Sequence, residues 1–330
     1  MNSSLAGATA RTCRYLSRAD VERIALPMSA IVAVVERALI EKAGGRAQMP
    51  PKHWMEHGSR WFGGMSSVVP GLGHAAMKWQ SGSQDNAAKG LPYITGMLFL
   101  NDLEDGVVVA VMDSTWITQQ RTAAASAVTA RHLAAPGARS FAMLGCGLQA
   151  YSHLDALGLV LPELREVIAY DIRPAAAEAF VRHAAARGLA ARTVPSARAA
   201  VEAGDVVVTA GPIVPDAERP IEPGWLGVGA LGITLDYDCY WSGPAFAAAD
   251  LLVTDDFDQL EHLKGEGYFT DAPLPDVDIG SVAAGRKPGR RSPRDRIVSL
   301  NMGVSVEDVA TAKEIYELAR ARGVGVELTL

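Results

Sequence analysis

The sequence predicts an α/β chain of two domains, an α+β domain with an antiparallel sheet followed by a domain with a mostly parallel sheet. Three observations predict it. The 330 residues are about twice the usual length of one domain. Strand-like runs follow one another between residues 50 and 118 with no helical pattern between them, which favours antiparallel pairing. From residue 140 onward short apolar runs alternate with helical ones, the signature of parallel strands covered by crossover helices.

Each element has its own signal. Arg11, Arg14 and Arg18 hint at an organellar transit peptide, but Asp20 and Glu22 follow at once, and the segment reads as an N-terminal extension. Ser17 with Asp20 three residues later resembles a helix N-cap, and Ile31, Val34, Val35, Ala38 and Leu39 recur at helical spacing up to Gly44-Gly45. Met77-Lys78-Trp79, residues 94–100 and residues 107–112 read as strands, with Asp105-Gly106 as a turn. Residues 121–133, rich in alanine, predict a tightly packed helix that closes at Pro136-Gly137. A strand at 140–144, a helix at 148–159, a strand at 167–170 and a helix at 175–187 then form a β-α-β unit. Further strands are expected at 205–209, 228–231, 251–254 and 297–300, and a last helix at 306–322. No internal repeat of solenoid period is present.

Composition excludes several classes. Almost half of the residues are apolar (49%), 21% are charged, and the formal net charge is −6, which lacks the basic excess of a nucleic-acid binder. No run approaches the ~20 apolar residues of a membrane span, and the N-terminus has no apolar core of a secretory signal, so a cytoplasmic chain with no membrane partner is expected. Cys13, Cys146 and Cys239 are scattered and odd in number, suggesting neither disulfides nor a zinc knuckle. His53 and His57 fall in an extended segment near Pro50-Pro51 with no carboxylate cluster, and no metal is assigned. The basic run at 286–296 contains proline, glycine and aspartate and reads as a solvated loop. Asp236 and Asp238 read as residues of a solvated turn.

The run Gly145-Cys146-Gly147-Leu148-Gln149-Ala150 fits G-x-G-x-x-A between a strand and a helix. There glycines permit a tight turn, and free N–H groups with the helix dipole hold a pyrophosphate. Asp171, at the end of the second strand, occupies the place that bonds the adenine ribose. Gly145, Gly147, Gln149, Ala150, Asp171 and Arg173 are therefore candidate cofactor residues. The carboxylate of Asp171 favours NAD(H); Arg173 leaves NADP(H) open. Cys146 reads as packing, since no activating base accompanies it.

With these residues in view, the chain resembles the ornithine cyclodeaminase/mu-crystallin family. The resemblance is carried by Met77-Lys78-Trp79, Leu91-Pro92, Asn101-Asp102, Arg121-Thr122-Ala123-Ala124-Ala125 and the glycine loop, in that order. It implies a Rossmann dinucleotide-binding domain at residues 126–302 plus an α+β substrate-binding and dimerisation domain at 1–125, completed by residues 303–330, in a homodimer. It also implies Lys78 near the reacting carbon, Arg121 on the substrate carboxylate, and Lys52 where many members have a second arginine. Thr122 and Thr209 join the candidate cofactor contacts. Arg121, placed at the start of its helix, would share an anion with the helix dipole. Thr234 stands where cyclodeaminating members carry an aspartate, and it is counted with the substrate-binding residues; Asp236 or Asp238 would replace that aspartate if the loop at 235–241 folds inward. The activity implied is an NAD(P)-dependent imine reductase or amino-acid dehydrogenase acting on the Cα–N bond of a small amino or imino acid. The alternatives are ornithine cyclodeamination and a non-catalytic, ligand-binding role.

Overall fold

In the computed structural model, which describes residues 11–214 and 216–330, two sheets divide the chain. The first sheet has seven strands: β1 (Thr12–Leu16), β2 (His53–His57), β3 (Arg60–Val69), β4 (His74–Ser83), β5 (Ile94–Asp102), β6 (Val108–Asp113) and β15 (Val326–Thr329). Their order is β15-β1-β6-β5-β4-β3-β2, antiparallel except for the β1–β6 pair. Part of the segment expected to be an N-terminal extension is thus a strand: Cys13 and Leu16 are buried, and edges on both sides of β1 are paired. Residues 1–10 lie outside the described residues.

Alternation along β4 decides which side chains reach the interior. His74, Ala76, Lys78 and Gln80 are buried, whereas Trp79 between them is exposed, as a period of two requires. Four helices cover the inner face: α1 (Arg18–Ile24), α2 (Met28–Ala43), α3 (Thr115–Leu133) and α10 (Ser305–Arg322). Ser17 and Asp20 close the expected capping box on α1. The alanines of α3 let α2, α10 and α4 (Leu148–Val160) all pack against it, because small side chains permit close approach. This helix begins at Thr115, six residues before Arg121. Arg121 is therefore interior to α3, not at its start, and the helix-dipole argument made for it fails; the polar run from Thr115 to Gln120 hid the first turns. α3 also continues through residues 125 and 126.

The second sheet contains β7 (Ser140–Leu144), β8 (Glu166–Tyr170), β9 (Ala190–Thr193), β10 (Val206–Thr209), β11 (Leu231–Thr234), β12 (Leu251–Thr254), β13 (Val277–Asp278) and β14 (Ile297–Leu300). All pairings are parallel, in the order β13-β12-β14-β11-β10-β7-β8-β9. The helices between them are α4, α5 (Pro174–Ala185), α6 (Ala197–Ala203), α7 (Gly243–Ala247), α8 (Phe257–Gly265) and α9 (Ile279–Ala283). Strand order reverses between β7 and β10, the switch point at which such sheets open a ligand crevice. The strand expected at 228–231 lies at Leu231–Thr234 instead. Gly229 has φ +84 and donates its N–H to Arg294 O, so the chain is still turning there.

Candidate active site

Between the two sheets lies a buried cluster of six charged side chains. Lys78 projects inward from β4 and is fully buried, not facing solvent as a strand lysine usually does. Its Nζ lies 2.9 Å from Asp308 Oδ1 and 2.8 Å from Oδ2, with Thr118 Oγ1 at 3.3 Å. Arg121 donates from Nε to Asp308 Oδ1 at 3.1 Å and from Nη1 to Glu307 Oε2 at 2.6 Å. Glu307 and Asp308 sit in the first turn of α10, where carboxylates favour the helix dipole. Gly303 precedes that helix at φ +82, and a Cβ there would stand 2.7 Å from Arg121 Nη1. Only glycine leaves the guanidinium its place.

Lys52 is also buried, not a solvated loop residue. Its Nζ donates to Met302 O at 2.5 Å and lies 4.9 Å from the Tyr237 ring centroid, while its backbone N–H is held by Gln259 Oε1 at 2.8 Å. Asp255, directly after β12, accepts from Gly303 N at 2.6 Å and keeps its other oxygen buried and unpartnered. Thr234 Oγ1, Gln259 Nε2 and Glu307 Oε1 are likewise buried without partners.

Burial governs the titration of this cluster. Desolvation brings Lys78 down to about 8, assisted by Arg121 and opposed by Asp308. Desolvation also lowers Lys52 and raises Asp255, their mutual attraction opposing both shifts. Glu307 is raised by burial, against the pull of Arg121. Arg121 is disfavoured by burial, but Asp308 and Glu307 outweigh that and raise it further. The result is a fixed guanidinium beside two lysines that can exchange protons near neutral pH.

The glycine loop follows β7 as expected. Gly145 has φ +93, and a Cβ there would meet Ala210 O at 2.5 Å. Gly147 caps α4 with no side chain of its own to satisfy the free amides, which leaves them for an anion. Ala150 is fully buried, and Gln149 Oε1 is buried and unpartnered. Asp171 accepts Cys146 N at 2.8 Å on one oxygen and Arg173 N at 2.8 Å on the other, so it braces the loop as well as facing the cleft. The Arg173 side chain is largely exposed and reaches Asp171 at 3.3 Å. A cleft of about 390 Å³ beside Asp171 is lined by Tyr170, Pro174, Glu178 and Thr193, among others. These features fit an adenosine and pyrophosphate. The Cys146 thiol is buried and pushed up to about 12 by desolvation, consistent with packing.

Thr122 and Thr209, two expected cofactor contacts, also hydrogen-bond within the protein. Thr122 Oγ1 donates to Thr118 O at 2.7 Å within α3. Thr209 Oγ1 donates to Asp236 Oδ1 at 2.8 Å and accepts from Trp241 Nε1 at 3.2 Å. Asp236 and Asp238 are buried, not residues of a solvated turn. The second oxygen of Asp236 takes Gly211 N at 2.8 Å, while Asp238 takes Arg219 Nε at 2.8 Å and Phe269 N at 3.0 Å. Sequence reasoning missed Asp255, Glu307, Asp308, Gln259 and Tyr237. For Glu307-Asp308 a signal existed, two adjacent carboxylates set among the apolar Val306, Val309, Ala310 and Ala312 at the start of the last helix.

Comparison with known proteins places this geometry. The model of the ornithine cyclodeaminase/mu-crystallin family matches residues 13–323. The alanine dehydrogenase of Archaeoglobus fulgidus is 33% identical over 325 residues, covering 95% of this chain and 97% of that protein. The structure of an archaeal alanine dehydrogenase dimer with bound NAD superposes with a TM-score of 0.86 at 31% identity, covering 97% of this chain and all of that one. The Thermococcus litoralis Delta(1)-pyrroline-2-carboxylate reductase in complex with NADH and L-proline superposes at 0.85, with 28% identity and coverage of 95% and 99%.

Proposed function

The chain belongs to the ornithine cyclodeaminase/mu-crystallin family, and from that premise we propose that it is an NAD(H)-dependent oxidoreductase of the Cα–N bond of a small amino or imino acid. The observation that carries the reading is the convergence of Lys78, Arg121 and Lys52, from three different segments, on one buried cluster at the crevice. Relatives named alanine dehydrogenase and Delta(1)-pyrroline-2-carboxylate reductase support this class of substrate.

Each residue then has a task. Arg121 grips the substrate carboxylate with two parallel N–H groups, and Lys52 adds a second positive charge. Lys78 carries the proton: in the reductive direction its ammonium donates to the nitrogen, and in the oxidative direction its amine accepts. Gly145, Gly147 and the start of α4 would hold the pyrophosphate, Asp171 the ribose, and the nicotinamide, when bound, exchanges the hydride with Cα. Asp171 and Glu178 both line the cleft beside the ribose site, and two carboxylates there disfavour a 2′-phosphate, so NAD(H) is preferred to NADP(H). The substrate and dimerisation unit is residues 1–125 with 303–330 and the cofactor unit residues 126–302, with α3 running unbroken across the boundary between them.

Cyclodeamination fits less well. Thr234 offers a hydroxyl where a distal ammonium would need a carboxylate, and both oxygens of the nearby Asp236 are taken by Thr209 and Gly211. The test is a turnover panel: NADH or NADPH oxidation with pyruvate plus ammonia and with cyclic imino acids, beside ammonia and proline release from L-ornithine with NAD. Imine reduction faster than ornithine turnover is expected. Faster ornithine turnover would reverse the assignment, and ligand-linked thermal stabilisation without any turnover would replace the enzyme by a binder.

A further inference from the structure

We propose that Tyr237 is a positioning residue for Lys52, its ring face holding in place an ammonium that has no carboxylate at ion-pair distance. This rests on the reading of Lys52 as a carboxylate-binding group. Among the described residues Lys78 and Arg121 each have a carboxylate partner at ion-pair distance, and Lys52 has none. Its close companions are neutral: the Met302 carbonyl at 2.5 Å, the Tyr237 ring at 4.9 Å and the Trp54 ring at 6.0 Å. Arg121 and Lys78 share their charge with Glu307 and Asp308, so Lys52 adds positive charge that no direct ion pair offsets. A ring quadrupole favours the ammonium and carries no net charge, so the cation stays available.

The backbone at this point is built to hold the ring there. Tyr237 has φ +57, a conformation that a bulky residue keeps only where its surroundings over-determine it. Its neighbours do so. Asp236 is pinned by Thr209 and Gly211, and Asp238 by Arg219 and Phe269, with Phe269 itself at φ +53. The turn carries the ring from the parallel-sheet unit to Trp54 of β2 in the other unit, where the two stack at 6.3 Å and 27°, with Tyr268 at 5.0 Å from Tyr237 closing the far side. The remaining charges acting on Lys52 are Asp255 and Glu307, which favour the ammonium, and Arg121 and Lys78, which oppose it. Burial opposes it most, so a contribution from the ring decides how firmly the charge is kept.

The experiment replaces Tyr237 by Phe, which keeps the ring and its negative face, and by 3,4,5-trifluorophenylalanine, which keeps the shape of the ring while removing that negative face. Each is also combined with Lys52→Met. With the best substrate of the panel, Tyr237→Phe should stay near wild type. The trifluoro variant should raise KM about tenfold with kcat within about twofold and NADH affinity unchanged, a split expected of lost ground-state positioning. A second readout needs no turnover: at pH 6, fluorination should lower the unfolding midpoint in denaturant when Lys52 is present and leave it unmoved in Lys52→Met. Equal loss in both backgrounds, or an unchanged KM, would overturn the proposal. If no substrate in the panel turns over, the proposed activity falls, and the denaturation cycle alone then decides whether the ring holds the ammonium.

Discussion

Lys78 and Arg121 share one carboxylate, Asp308, and that sharing governs what substitution will do. Removing either cation leaves a buried carboxylate short of a partner, at a cost of about 3–5 kcal/mol of stability. Activity lost by Arg121→Ala or Lys78→Ala must therefore be separated from unfolding. Arg121→Lys is the cleaner variant: it keeps the charge, loses the two-pronged grip, and should lower kcat/KM on the order of 10²-fold while NADH affinity holds. Near-wild-type kcat/KM would remove Arg121 from substrate binding. The pH profile tests Lys78. Because burial brings it down to about 8, kcat/KM for imine reduction should fall with rising pH through that value as the donating ammonium is lost, beyond the loss that discharge of Lys52, brought down to about 7 by burial, already causes. In Lys78→Arg the falling limb should move out of the accessible range. A limb that stays put belongs to another group. The sequence disclosed these two side chains as functional but not their partners, because Glu307 and Asp308 lie 186 to 230 residues further along the chain and no local pattern encodes a tertiary ion pair.

At the scale of elements, the glycine loop was the most legible part, since its chemistry is local: a strand, a turn that excludes side chains, and a helix N-terminus. Gly145→Ala should abolish tight NADH binding, because φ +93 and a contact of 2.5 Å to Ala210 O leave no room for a methyl group. Wild-type affinity in a calorimetric titration would show that the turn can relax. Asp171→Ala should weaken NADH more than NADPH, since only NADH has a free ribose hydroxyl for the carboxylate. Both cofactors should lose some affinity, because Asp171 also holds Cys146 N; equal losses would confine Asp171 to that bracing role. Elements decided by tertiary contact were harder to read. β1 and β15 are short strands that exist by pairing with each other and, for β1, with β6. The turn at 236–238 looked solvated because it is acidic, yet its carboxylates are buried by hydrogen bonds to Thr209, Gly211, Arg219 and Phe269.

For the whole molecule, the alternation of helix and strand disclosed the parallel sheet, whereas the outer face of the antiparallel sheet went unremarked in the sequence because its apolar residues come from six separate strands. Register aligns Ser66, Met77, Phe99, Val111, Tyr15 and Val326 in one row across β3, β4, β5, β6, β1 and β15. Trp79, Phe99, Tyr15 and Val326 are 37%, 39%, 38% and 55% exposed, more large apolar surface in one place than a solvated sheet face usually leaves. No helix among the described residues is long and apolar enough to cross a membrane, and we propose a second copy of the chain as the cover; the similar archaeal alanine dehydrogenase is a dimer. Phe99→Arg places a charge in the middle of that row. Because Phe99 points away from the core residues Leu98 and Leu100 on either side, the fold should survive while association weakens: a self-complementary interface meets each substitution twice. Sedimentation equilibrium should give a dimer for the wild type and a monomer for Phe99→Arg, with the far-ultraviolet circular dichroism unchanged. A wild-type monomer, or a variant that remains dimeric, would move the interface elsewhere.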